Sequence, residues 1–60
     1  MSDQLVDVKS AAERLGVTER WVRRAVAERR IPFVKLGRLV RFRPADLDAY
    51  TEDHTVAAVH

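Results

Sequence analysis

A mainly α domain with one small β-hairpin is the fold class that this 60-residue sequence predicts, and three observations predict it. Apolar residues recur at helical spacing after Asp7 and again after Thr18, each a short polar residue suited to capping a helix. Gly16 stands between the two segments and keeps their connection short. Pro32 then ends the helical pattern, and β-compatible runs flank Gly37-Arg38. Two helices at a tight turn followed by a hairpin have the layout of a helix-turn-helix with a wing.

Residues 1–6 read as a loose lead-in, with Leu5 and Val6 the first candidates for burial. Val8, Ala11, Ala12 and Leu15 lie on one helical face, so a helix from about Val8 to Leu15 is expected. Gly16 can adopt the left-handed conformation that ends it, and Thr18 caps the next helix. Val17 and Val22 stand at the spacing of a hydrophobic staple. The second helix should run from Glu19 to about Arg29 or Arg30, with Val22, Ala25 and Val26 facing the core and Arg20, Arg23, Arg24 and Ala27 on the other side.

Phe33 to Leu36 and Val40 to Arg43 form the hairpin. A two-residue loop at Gly37-Arg38 would set Lys35 beside Val40 and mix polar with apolar residues on one face. A three-residue loop, Gly37-Arg38-Leu39, would place Val34, Leu36, Val40 and Phe42 inside and Lys35, Arg41 and Arg43 outside, and this register is the expected one. It leaves Arg38 at the tip. Pro44 suits the first position of a third helix, where Asp46 and Asp48 favour the positive end of its dipole and Leu47 and Tyr50 close the core. A domain over residues 1–51 with a frayed tail at 52–60 follows, the tail including His54 and His60 as exposed residues.

Charge is distributed unevenly. Arg20, Arg23, Arg24, Arg29, Arg30, Lys35, Arg38, Arg41 and Arg43 face only Glu19 and Glu28 between Thr18 and Arg43, although the whole chain carries a formal charge of only +2. Such a segment attracts a polyanion and releases its condensed counterions. Along the second helix only Arg24 with Glu28 pairs well by spacing, so the arginines are not explained as a neutralised face. Sixty residues without cysteine give one domain with a small core and little room for a catalytic pocket, so no enzyme, cofactor or metal is expected. No apolar run approaches the roughly 20 residues that span a bilayer, and no signal-peptide pattern opens the chain, which predicts a cytoplasmic protein. Beginning at Met1, it reads as a whole small protein or the N-terminal piece of a larger one.

Ala12, Gly16 and Val22 supply the close crossing, the turn and the wedge that a helix-turn-helix needs. Joined to Leu5-Val6-Asp7-Val8, Trp21-Val22, Ile31-Pro32, Lys35-Leu36-Gly37-Arg38, Arg41-Phe42 and Asp46-Leu47-Asp48-Ala49-Tyr50, the run over residues 5–50 resembles the excisionase family of winged helix-turn-helix proteins, related to the DNA-binding domains of MerR-type regulators. The resemblance implies that the second helix enters the major groove of double-stranded DNA. Thr18, Glu19, Arg20, Arg23 and Arg24 would then read or anchor, and Lys35, Gly37, Arg38 and Arg41 would form the wing contact. It further implies an accessory factor that binds repeated sites cooperatively, associates with itself on DNA, bends it and directs an integrase toward excision.

Individual residues carry rival readings. An arginine on such a helix can donate bidentately to guanine. Arg29 and Arg30, at the helix end, satisfy the dipole and last carbonyls or touch phosphate. Trp21 is a lid over the core, a donor to the DNA backbone, or both. Glu19 is explained by the helix dipole, although it could accept from cytosine. Two other functions fit the same charge pattern: a stand-alone MerR-like transcription regulator, and an adaptor whose basic face docks on an acidic protein.

Overall fold

Asp7 begins the first helix as its position predicts. In the computed structural model, which describes residues 4–57, its carboxylate accepts a hydrogen bond from the Ser10 N–H at 2.8 Å, and α1 spans Val8–Leu15. That bond, assisted by the Arg41 charge, holds the Asp7 carboxyl below its ordinary value of 3.8. A carboxyl with a depressed folded pKa contributes stability above its unfolded value and loses it as pH falls through the folded one. Asp7→Asn keeps a capping oxygen and removes the titration. Its stability, followed by circular dichroism, should therefore fall less than wild type on acidification below the ordinary carboxylate value.

Gly16 ends α1 in the left-handed region at φ 72°. The N–H groups of Gly16 and Val17 return to the carbonyls of Glu13 and Ala12, the paired bonds of a Schellman motif. Thr18 then caps α2 (Glu19–Ala27), its hydroxyl accepting from the Trp21 N–H at 3.0 Å. Val17 packs on the core that contains Val22, as the staple requires.

Helix α2 ends earlier than its sequence suggests, at Ala27 rather than Arg29 or Arg30. The cause is a second Schellman pair, Arg30 N–H to Ala25 and Arg29 N–H to Val26. Here Arg29 occupies the left-handed position at φ 56°, where a side chain is disfavoured. This early exit turns the chain so that Ile31 is buried ahead of Pro32. Arg29→Gly should stabilise the fold by about 1 kcal/mol, seen as a raised urea midpoint. An unchanged midpoint would show that the position is not strained.

The hairpin pairs β1 (Val34–Leu36) with β2 (Leu39–Arg41), antiparallel. Its register corrects the expected one. Leu36 pairs with Leu39, Lys35 with Val40 and Val34 with Arg41, so the loop is the two-residue Gly37-Arg38 and not Gly37-Arg38-Leu39. Gly37 has φ 62° and Arg38 has no positive φ, the arrangement of a type II′ turn, whose twist matches that of the strands. Val34 and Leu36 are therefore not partners of Val40 and Phe42 on an inner face, and Leu36 and Leu39 stay 49% and 52% exposed. Arg41 is half-buried rather than outside. What fixes the hairpin is Phe42, fully buried and bonded through both N–H and C=O to Val6 at 2.9 Å.

Helix α3 (Pro44–Asp53) starts with proline, as expected, and reaches two residues past the predicted domain edge. His54 caps it while stacking on Tyr50 at 4.0 Å. Residues 58–60, with His60, lie outside the described residues. Ala11, Ala12, Val22, Ala25, Ile31, Phe42 and Leu47 form the buried core. The alanines are what let α1 and α2 approach closely, and Arg14 clamps α1 to α3 through two 3.2 Å bonds to Asp48.

Candidate nucleic-acid interface

The core side of α2 consumes Val22 and Ala25, and at 100° per residue this leaves Arg20, Arg23, Arg24 and Ala27 on the opposite face, all exposed. Arg23 lies toward the hairpin. With Glu19 it lines a cleft whose far wall is Arg38, Leu39, Val40 and Arg41. The second helix and the wing thus present cations to a common space. Arg20 makes no ion pair among the described residues, and neither does Arg38 at the hairpin tip or Lys35 on β1.

Two arginines of the helix are held by carboxylates. Arg24 pairs with Glu28 at 3.2 Å, as its spacing predicts. Arg23 also pairs, reaching back to Glu19 at 3.2 Å, which corrects the expectation that only Arg24 with Glu28 pairs along this helix: acid four residues before base is itself a favourable helical spacing. Exposed helical pairs of this kind are worth about 0.3–0.5 kcal/mol. Neither is an obstacle to a phosphate or a guanine edge, which offers a charge-assisted bond of its own. Glu28 is more firmly committed: Arg30 at 2.7 Å and then Arg24 hold its carboxyl below the ordinary value of 4.5.

The other residues singled out by sequence are placed differently. Thr18 is a cap, its hydroxyl oxygen accepting from the Trp21 N–H. Trp21 is half-buried against the core on the α3 side, edge-on to Tyr50 at 6.4 Å, with the Arg30 guanidinium 5.3 Å above its ring. That is the lid arrangement. Gly37 shapes the turn, and Lys35 lies outside the cleft. Arg41 lines the cleft while donating to the Val40 carbonyl at 2.8 Å, so its guanidinium is oriented before any ligand arrives.

The family of helix-turn-helix domains matches residues 5–55 of the chain. The chain belongs to this family. No curated protein and no solved structure matches it. A helix-turn-helix domain is a DNA-binding unit, and DNA is the partner that membership implies. Three helices with a two-stranded antiparallel hairpin make this a small winged form of the domain. No helix among the described residues is long and apolar enough to cross a membrane, and none of their acidic and histidine side chains group to hold a metal.

Sequence reading missed part of the helix-turn-helix domain's cleft. Asp7, Val8 and Lys9, from the start of α1, line it too. Lys9 sits in a segment without excess positive charge, so counting charge by stretches of chain passed over it. Its signal was its place two residues after a cap, on the exposed first turn of α1.

Proposed function

We propose that this domain binds duplex DNA sequence-specifically, with α2 along the major groove and the hairpin tip on the neighbouring strand or minor groove. The observation that carries this reading is the single cleft shared by Arg23 of α2 and Arg38 and Arg41 of the hairpin. Arg20, Arg23 and Arg24 read or anchor on the helix, assisted by Thr18 and Glu19 at its start, where backbone N–H groups favour phosphate. Arg38 and Arg41 contact the strand beside the groove, with Lys35 adding charge and Gly37 setting the turn. Trp21 borders this surface and orients Arg30.

The proposed role is that of an excisionase-type accessory factor. One such small module gives a limited interface, so specificity comes from several copies on repeated sites, each adding phosphate neutralisation and sharing the deformation energy of a bend. Glu52 and Asp53 on α3, unlike Asp46 and Asp48, have no cationic partner among the described residues, and they offer a counter-surface to the basic face of a neighbouring copy or to an integrase.

The test is selection of duplexes from a random-sequence library, then footprinting on the selected sites with and without any integrase encoded beside the gene. A periodic footprint that alters integrase occupancy is expected. Periodic protection with no effect on any integrase would instead indicate a transcription regulator. Weak protection without sequence preference would move the basic face to an acidic protein partner.

A further inference from the structure

We infer that the cleft between α2 and the hairpin seats one sugar-phosphate strand of the duplex and, through an aliphatic wall, accepts deoxyribose and rejects ribose. The inference rests on the DNA reading above and deepens it by naming the sugar. The cleft has two parts that meet at Val8, Arg23 and Val40. Its outer part, about 370 Å³, is rimmed by Lys9, Arg23, Arg38 and Arg41, with Asp7 and Glu19 between them. Its inner part, about 280 Å³, is walled by Val8, Val26, Ala27 and Val40, and Arg23 is the one charged residue that lines it.

Charge and polarity together select the occupant. Asp7 is held by the Ser10 N–H and Glu19 by Arg23, and both keep their charge, but Lys9, Arg23, Arg38 and Arg41 outnumber them and leave the cleft net positive toward a ligand. A polymer that alternates an anion with a ring of low polarity matches cations above an aliphatic floor. An acidic peptide matches the rim but not the floor, because its amides would meet side chains that neither donate nor accept. The backbone of a nucleic acid strand passes between a helix in the major groove and a wing beside it, which is where this cleft lies. Its phosphates fall to Lys9, Arg38 and Arg41, and the C2′ methylene of the intervening sugar falls to the valines.

In ribose that same carbon carries a hydroxyl, displayed toward the minor groove, the side occupied by the hairpin. With Arg23 committed to a base edge in the DNA reading above, the hydroxyl against Val40 and Val26 loses water and gains no partner. Lys9, which no charge-run reading selected, becomes a strand contact, and Val40 and Val26 become determinants of sugar selectivity.

The experiment uses the full chain and the duplex recovered by random-sequence selection, synthesised with a single ribonucleotide at each position in turn. Binding should weaken about tenfold at one or two adjacent nucleotides of one strand for each bound copy. A 2′-fluoro sugar at those nucleotides, which shares the ribose pucker but has no hydroxyl to desolvate, should bind like DNA. Val40→Thr, close in shape but able to pair with the hydroxyl, should shrink the ribose penalty, read as the ratio of ribose-substituted to all-DNA affinity within the same variant. Val26→Thr gives the same readout from the opposite wall if Val40→Thr does not fold. A flat ribonucleotide scan, an equal loss with the fluoro sugar, or a penalty untouched in the folded threonine variants would overturn the inference and leave sequence-specific DNA binding standing. Failure to recover any duplex would overturn the DNA reading first, and this inference with it.

Discussion

Phe42→Ala is expected to leave most of the chain unfolded at room temperature. The side chain is fully buried, and with Val22 and Leu47 it makes up the large residues of a core otherwise built from alanines and Ile31. Truncating a buried phenylalanine to alanine costs about 3–5 kcal/mol. A domain of 60 residues has only about 3–9 kcal/mol of stability in all. The loss is aggravated by position, since the Phe42 backbone bonds to Val6 on one side while its ring packs under the helices. Thermal and urea melts followed by circular dichroism measure it. Phe42→Leu, which keeps most of the volume, should fold with a lowered midpoint, and a cooperative wild-type melt for Phe42→Ala would mean that the core does not depend on this ring.

Arg23→Ala and Arg38→Ala should damage DNA binding in two distinguishable ways. Arg23 projects from the exposed face of α2, and its pairing with Glu19 is too weak to hold it back. Its loss should relax preference at a single base pair by about 1–3 kcal/mol, with less change elsewhere in the site. Arg38 stands on the hairpin tip without an ion-pair partner among the described residues. Its loss should weaken binding to all sequences alike and lower the slope of log affinity against log salt by about 1. Competition binding on selected duplexes at several salt concentrations separates the two. If both variants kept wild-type affinity and preference, the cleft between helix and hairpin would not be where the duplex lies.

Much of this architecture is written in local chemistry. Asp7, Gly16, Thr18 and Pro44 each act within a few residues, and each marks a helix end where it was expected. The end of α2 was not legible, because nothing in the composition says that Arg29 will take a left-handed conformation. The Schellman bonds to Ala25 and Val26 hold it there, and the burial of Ile31 follows from that exit. The hairpin register failed for a related reason. Burial was assumed to govern Val34 and Leu36, whereas the glycine-first turn and the Val6–Phe42 bridge decide it. Of the candidate site, the helix face followed from periodicity. The inclusion of Lys9 and Val8 did not, since it depends on how α1 meets the hairpin in space.

The Val6–Phe42 bridge also bears on how this domain can be transplanted. By pairing with residue 42, the few residues ahead of α1 serve as a third edge to the wing and tie the segment before the first helix to the end of the hairpin. A graft that begins at the first helix would preserve the recognition helix yet let the hairpin swing. Donor and recipient should therefore be spliced upstream of Leu5, and a fused tag belongs beyond the far terminus, away from that seam.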